Sequence, residues 1–106
     1  RHLRLPDGAK LIIGRDQDDN EKIKNTSSDK YYKARIEDAS GPLCLFQKDA
    51  SEDDTKLAAN LIVTYGRTKA DEIYKVKFVD STDITNEMIC EGVKLPSKQI
   101  ASQYFI

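Results

Sequence analysis

Apolar and polar residues alternate with a period of two in several short segments, which is typical of half-buried β-strands. In Tyr31–Ile36, the even positions are apolar or aromatic and the odd positions include Lys33 and Arg35. The same alternation recurs in 73–79, and weaker or shorter apolar runs occur at 2–5, 10–14, 43–47 and 87–95. The pattern therefore predicts six strands, the first two joined as a hairpin by the turn Pro6-Asp7-Gly8.

Two segments have the start signals and spacing of helices. Residues 16–25 begin on Asp16, a good N-cap, with further acids in the first turn. The second helix begins after Ser51 with an S-x-x-D capping signal and ends near Gly66. Its core-spaced residues are Leu57, Ala58, Leu61, Ile62 and Tyr65. Pro96-Ser97 would start a last short helix.

These elements predict an α+β domain in the order β-β-α-β-β-α-β-β, with a short C-terminal helix. Both main helices are expected on one face of the sheet, because each has a single apolar stripe. A length of 106 residues suits one domain spanning 1–106. The chain starts with Arg1 and not with Met, so we expect it to be an excised piece of a longer protein, or a processed one.

Composition limits the function. The 17 basic and 18 acidic residues leave a net charge of −1, so any basic surface must be confined to one face. Cys44 and Cys90 lie in apolar stretches, which favours reduced thiols of a cytoplasmic protein, with a disulfide as the alternative. The sequence indicates no catalytic residues, no metal ligands and no cofactor, and it has no apolar run long enough for a transmembrane helix.

A basic sheet face is the first functional hypothesis. The strand positions opposite the predicted core carry His2, Arg4, Lys33, Arg35, Lys75 and Lys77. Tyr31 stands among these charges and offers a ring that can stack on a base. Cations for phosphates and an aromatic for bases suit RNA. The alternative is a solvated face whose long side chains only cover the sheet.

The strand-to-helix corner at Gly14-Arg15-Asp16 is the second hypothesis. It places Arg15 and Asn20 where helix-start N–H groups point outward, a common place to hold an anion. The alternative is a structural corner in which Asp16 caps the helix and Arg15 pairs with a nearby acid. The loop 38–42 similarly offers a carboxylate, a hydroxyl and N–H groups, although a turn also explains it.

Several of these segments together resemble the RNA-binding domain of the NFACT family, the ribosome-associated and fibronectin-binding-like proteins. The matching points span roughly residues 10 to 80. They are Gly14-Arg15-Asp16 with Asn20 and Glu21, the loop Asp38-Ala39-Ser40-Gly41, Ser51 with Leu57-Ala58-Ala59 and Tyr65, and Tyr74-Lys75-Val76-Lys77. Glu37 and Pro42-Leu43 stand where the family has a basic residue or histidine and a second histidine. With these differences, the chain is more similar to the variant of the domain that is found at the C-terminus of PP-loop ATPases related to tRNA thiolation enzymes.

The resemblance implies an RNA-binding accessory domain, with tRNA as the expected RNA and a catalytic domain upstream in the same chain. The domain itself would not be catalytic, while its parent would be a PP-loop ATPase. The predicted RNA-binding residues are Arg15, Asn20, Lys33, Arg35, Arg67, Lys69, Lys75 and Lys77. The alternative is a protein-interaction or scaffolding domain that packs against a catalytic neighbour. A continuous positive surface would favour RNA, and an exposed apolar patch a protein partner.

Overall fold

The computed structural model describes residues 1–106 as one six-stranded antiparallel sheet with three helices. The strands are β1 (His2–Arg4), β2 (Lys10–Ile13), β3 (Tyr31–Ile36), β4 (Cys44–Gln47), β5 (Ile73–Asp80) and β6 (Asp83–Val93), and the helices are α1 (Gln17–Lys24), α2 (Glu52–Thr64) and α3 (Lys98–Ser102). The predicted α+β class and element order are confirmed, including the short last helix.

The strand order across the sheet is β1-β2-β4-β3-β5-β6. β4 therefore lies inside the sheet, as its apolar sequence predicts. The C-terminal segment covers the edge of β1, because Phe105 bridges to Leu3 and the Ile106 N–H donates to the His2 carbonyl. The long strand β6 forms the other edge and has no partner on its outer side.

The main core lies between the sheet and α2. Residues of β2, β3, β4 and β5 that point to this side are buried, and they pack on the apolar stripe of α2. Phe46 and Phe78 fill the centre, with their ring centroids 5.5 Å apart. The side of β3 and β5 that the period-2 alternation predicts to be buried does face the core.

The first helix lies on the other face of the sheet, which differs from the expected placement of both main helices on one face. Ile23 is the only buried residue of α1, and it is outside the main core cluster. It lies near Ile12 and Leu45, which are paired neighbours on the face opposite α2. Because Ile23 is its one buried residue, α1 covers only this small patch and takes no part in the main core. We call the face opposite α2 the open face.

The predicted caps are confirmed. The carboxylate of Asp16 accepts a hydrogen bond from the Asp19 N–H at 2.9 Å, and Ser51 Oγ accepts one from the Asp54 N–H at 3.0 Å. Asp54 is itself buried, and its carboxylate accepts from the N–H groups of Asp7 and Ala9. The start of α2 therefore holds the turn of the first hairpin in place.

The largest difference in an element boundary concerns β6. It begins at Asp83 after a tight turn at Ser81-Thr82, whereas the sequence predicts a strand only from residue 87. Its first residues are polar because they lie exposed at the end of the hairpin. Both cysteines are free thiols, and burial raises the pKa of the Cys44 thiol, which keeps it protonated and unreactive.

Candidate nucleic-acid interface

Three arginines meet in one surface cleft at the N-terminal end of α1. The cleft has a volume of about 400 Å³ and is lined by Arg1, Gly14, Arg15, Asn20, Ser40, Gly41, Pro42, Tyr65 and Arg67. We call it the arginine cleft. It brings together three of the predicted site residues, Arg15, Asn20 and Arg67, from segments that are far apart in the sequence.

The strand-to-helix corner forms one wall of the arginine cleft. The chain passes from β2 into α1 so tightly that a Cβ at Gly14 would lie 2.9 Å from the Leu43 carbonyl oxygen. Asn20 Oδ1 accepts a hydrogen bond from the Leu43 N–H at 3.4 Å. Asn20 therefore fixes the 42–43 loop against α1, and only its amide NH₂ remains to contact a ligand.

The loop 38–41 and the end of α2 form the opposite wall. The Arg67 N–H donates to the Ser40 carbonyl at 2.8 Å, and Gly66 permits this approach because a Cβ there would lie 3.0 Å from the same oxygen. The Asp38 carboxylate accepts from the Lys75 N–H and so ties the start of the loop to β5. These contacts fix the backbone of Arg67 while its side chain stays exposed and makes no ion pair.

Arg15 has one acidic neighbour. Its Nε lies 3.6 Å from the Asp19 carboxylate, which also accepts a hydrogen bond from the Arg15 backbone N–H, and the side chain of Arg15 remains 67 % exposed. The hydrogen bond from the Arg15 backbone, and then the guanidinium charge, hold the pKa of Asp19 below its usual value. An exposed pair of this kind is weak, so a phosphate can compete for Arg15.

Tyr65 also lines the arginine cleft. The Arg1 guanidinium stacks over the Tyr65 ring at 4.2 Å and donates to the Gly14 carbonyl at 3.2 Å. Lys98 Nζ lies 5.5 Å from the same ring. Two cations thus flank one aromatic ring, which adds positive potential beside Arg15 and Arg67.

A second basic depression lies on the open face beside α1. It has a volume of about 220 Å³ and is lined by Lys24, Lys33, Arg35, Leu43, Lys77 and Val79. We call it the basic groove. The pairing of β3 with β5 places Lys33 opposite Val79 and Arg35 opposite Lys77, so the predicted basic residues of these strands do share one face.

Two cations of the basic groove already have partners. Lys33 Nζ donates to the Lys24 carbonyl at the C-terminal end of α1 at 2.6 Å. Lys77 Nζ lies 3.3 Å from the Glu87 carboxylate on the neighbouring strand. Arg35 is exposed and has no ion pair. With both main helices expected on the core side, these side chains should contact neither helix, but Lys33 contacts α1, which lies on the open face.

The arginine cleft and the basic groove meet at the 42–43 loop. Pro42 lines the cleft and Leu43 lines the groove. On α1, Asn20 borders the cleft and Lys24, one helical turn further, borders the groove. The two depressions share no lining residue, but they adjoin at these points, and we call the surface that joins them the path.

Four predicted cations lie outside this path. Lys69 is near Glu72, at 3.9 Å, and lines neither depression. Lys75 is exposed on β5 opposite Glu91. His2 and Arg4 are on β1, and α1 stands between them and the basic groove because it covers β2 and β4. The predicted single basic face is thus divided in two by α1.

The structure adds Arg1 and Lys24 to the sequence-predicted set. Nothing in the sequence distinguishes Arg1 from other terminal residues, because its place depends on the contact with Tyr65. Lys24 follows Asn20 by four positions, which puts both on one face of α1. That spacing was the available signal for Lys24, although its position also suits the helix C-terminus.

The side chains of the domain form no cluster of three or more His, Cys, Asp or Glu residues that could hold a metal ion. None of the three helices has the length and apolar composition needed to cross a bilayer. The concave polar features of the molecule are instead surface depressions, two of which are lined by several cations.

Comparison with known proteins gives the family. The family model described as the NFACT protein RNA-binding domain matches residues 1–105. The chain belongs to this RNA-binding family. Its fold is similar to a solved structure, the C-terminal part of the fibronectin/fibrinogen-binding protein from Streptococcus suis, with a TM-score of 0.79 and 12 % identity. That match covers 99 % of this chain and 48 % of the other, so the domain spans about half of its structural relative. No curated protein matches the sequence.

Proposed function

We propose that this NFACT RNA-binding domain holds structured RNA, with tRNA as the expected class, along the path formed by the arginine cleft and the basic groove. The observation that carries the proposal is the meeting of these two cationic depressions at the 42–43 loop. Three guanidinium groups and a ring in the cleft suit the phosphates and bends of a folded RNA. Of the eight residues predicted from the sequence, the six that line this path are proposed as contacts: Arg15, Asn20, Arg67, Lys33, Arg35 and Lys77.

The domain would act as an accessory part of a larger cytoplasmic protein. We propose an upstream catalytic domain of the PP-loop ATPase type that modifies tRNA, on the strength of the sequence resemblance in the 38–43 loop. A net charge of −1 makes the isolated domain a weak binder, since acids elsewhere on its surface repel phosphate. Tethering to a domain that holds the same RNA would raise the effective concentration and supply useful affinity.

A second function has one observation in its favour. Ile73, Ile89 and Val93 are exposed on the open face near the unpaired edge of β6, at 64 %, 52 % and 40 %. An apolar patch on an edge suits a protein partner, such as a catalytic neighbour on which the domain packs. This patch lies beyond Lys75 and Lys77, outside the path proposed for RNA, so both functions can operate on one face.

Titration of fluorescently labelled tRNA with the domain at several salt concentrations tests the RNA proposal. With about four phosphates contacted, we expect a Kd in the micromolar range and a loss on the order of 100-fold between 50 and 200 mM salt. Binding that is insensitive to salt, or no binding at low salt and high micromolar protein, would contradict the proposal. That result would favour the protein-interaction function.

A further inference from the structure

A third depression at the start of β3 differs from the other two in its chemistry. It has a volume of about 410 Å³ and is lined by Asp29, Lys30, Tyr31, Gln47, Lys48 and Asp49. We call it the Tyr31 pocket. Tyr31 and Gln47 are paired neighbours of β3 and β4 on the open face. Tyr31 is two residues from Lys33 on the same side of β3, so the pocket continues the line of the basic groove.

The two adjacent tyrosines of β3 have different surroundings. Tyr32 faces the core and makes an edge contact with Phe78, with ring centroids 6.3 Å apart. Tyr31 packs on no other ring, its hydroxyl makes no hydrogen bond, and its side chain is only partly buried. Tyr32 therefore packs in the core, whereas the ring of Tyr31 remains available as a stacking surface.

Polar groups with unused hydrogen-bonding capacity surround this ring. Gln47 Oε1 accepts the Lys10 N–H at 3.0 Å, which leaves the amide NH₂ as a donor. Asp49 has a left-handed backbone with a φ of 64°, the one non-glycine residue of the chain with a positive φ. Its carboxylate and that of Asp29 make no ion pair and are free to accept hydrogen bonds.

The charge of the pocket disfavours a phosphate. Lys48 is occupied, since its Nζ lies 2.6 Å from the Asp80 carboxylate. Lys30 is then the one free cation beside the carboxylates of Asp29 and Asp49. A ligand with N–H donors and a flat aromatic surface suits such a site better than an anion does. An unpaired nucleobase has both features.

We propose that the Tyr31 pocket binds one unpaired guanine of an RNA whose backbone lies along the basic groove. The guanine ring would stack on Tyr31. Its adjacent N–H groups would donate to the carboxylate of Asp49, and its O6 would accept from the Gln47 amide or Lys30. Uracil has only one N–H donor on that edge and fits less well. This inference rests on the proposed RNA binding along the groove and adds a base preference to it.

Four short single-stranded RNAs that differ only at one central nucleotide, in a uridine background, test the inference by fluorescence anisotropy. We expect the guanine RNA to bind roughly tenfold more tightly than the all-uridine RNA. Tyr31→Leu should lower affinity for the guanine RNA on the order of tenfold, as expected for a lost base stack, whereas Tyr31→Phe should keep it. Asp49→Asn tolerates the left-handed backbone and should remove the preference for guanine.

Each outcome decides the inference. Equal affinity of the wild type for all four RNAs, or Tyr31→Leu and Asp49→Asn both without effect, would overturn the pocket. If Arg15→Ala still lowers affinity in that case, the proposed RNA binding survives.

A preference for adenine that depends on Tyr31 would overturn the assignment of guanine. If Tyr31→Leu does not fold, as judged by its thermal denaturation, Asp49→Asn alone decides. No binding of any RNA at low salt would overturn both proposals.

Discussion

The arginine cleft and the basic groove contain similar numbers of cations, but they differ in what those cations do in the free protein. In the cleft, Arg67 has no ion pair, and the one acidic neighbour of Arg15 forms an exposed pair. In the groove, Lys33 is bound to a helix carbonyl and Lys77 to Glu87. A phosphate that binds Lys33 or Lys77 must replace an existing contact, whereas Arg67 in the cleft and Arg35 in the groove have no ion pair to replace.

This difference shows why a count of basic residues overstates a binding surface. Lys33 and Lys77 alternate with apolar residues as RNA-binding strand residues would, yet both also stabilise the fold. The cleft has three arginines, whereas the groove has one, and the planar guanidinium of arginine binds phosphate with two parallel hydrogen bonds. We therefore expect the cleft to contribute more to RNA affinity than the groove does.

The largest expected effect is that of the double variant Arg15→Ala/Arg67→Ala. It removes two exposed guanidinium groups, and we expect the affinity for tRNA to fall tenfold or more in an anisotropy titration at low salt. Lys69→Ala is the matched control, because Lys69 lies outside both depressions beside Glu72. An equal loss with the control would mean that only the total charge matters.

The basic groove should show a smaller effect. We expect Lys33→Ala/Lys77→Ala to lower the affinity only two- to threefold, since both ammonium groups are engaged before RNA arrives. Glu87→Gln frees Lys77 without removing it and should raise the affinity about twofold in the same assay. If Glu87→Gln leaves binding unchanged, the groove does not contact the RNA.

The strand-to-helix corner could be predicted from the sequence because its signals are local. Gly14, the Asp16 cap and the acids of the first turn all lie within six residues. The alternation of β3 and β5 likewise fixed which side of each strand is buried. The sequence could not predict where α1 packs, because this depends on Ile12 and Leu45 becoming neighbours through the pairing of β2 with β4.

The set of residues that forms the arginine cleft could not be predicted from local sequence patterns either. Arg15 and Arg67 meet because the 38–41 loop packs against Gly66, a contact between segments remote in sequence. Both arginines were predicted as RNA-binding residues, but their shared site was not. The pairing of Lys77 with Glu87 also depends on the register of β5 and β6, whose turn at Ser81-Thr82 has no strong sequence signal. The RNA contacts themselves stay predictions.

A cap variant separates structure from binding at the corner. We expect Asp16→Ala to lower the free energy of unfolding by about 1 kcal/mol, because the Asp19 N–H loses its acceptor. RNA affinity should change less than twofold, since Asp16 does not line the arginine cleft. Arg15→Ala should do the reverse. Urea denaturation and tRNA titration of both variants measure this, and equal destabilisation with intact affinity for Arg15→Ala would favour a purely structural corner.

Lys48 gives the limiting case of a cation committed to the fold, because its ammonium is paired with the buried carboxylate of Asp80. The pKa of Asp80 is held well below its usual value, mainly by the hydrogen bond from the Lys48 ammonium and then by those from the Thr82 hydroxyl and N–H. The folded pKa is below the unfolded one of about 3.9. This contribution to stability is therefore present above about pH 4 and is lost as the pH falls further. In urea denaturation between pH 6 and pH 3, Asp80→Asn should lose less stability than the wild type.

The dependence of tRNA affinity on salt tests the central claim most directly, because its slope counts the phosphates that cations neutralise. The measurement compares the wild type with Arg15→Ala/Arg67→Ala and Lys33→Ala/Lys77→Ala from 50 to 200 mM salt. We predict that the slope of log K against log salt becomes shallower by about 2 in the arginine variant and by less than 1 in the lysine variant. Equal changes in the two variants, or a larger change in the lysine variant, would contradict the account.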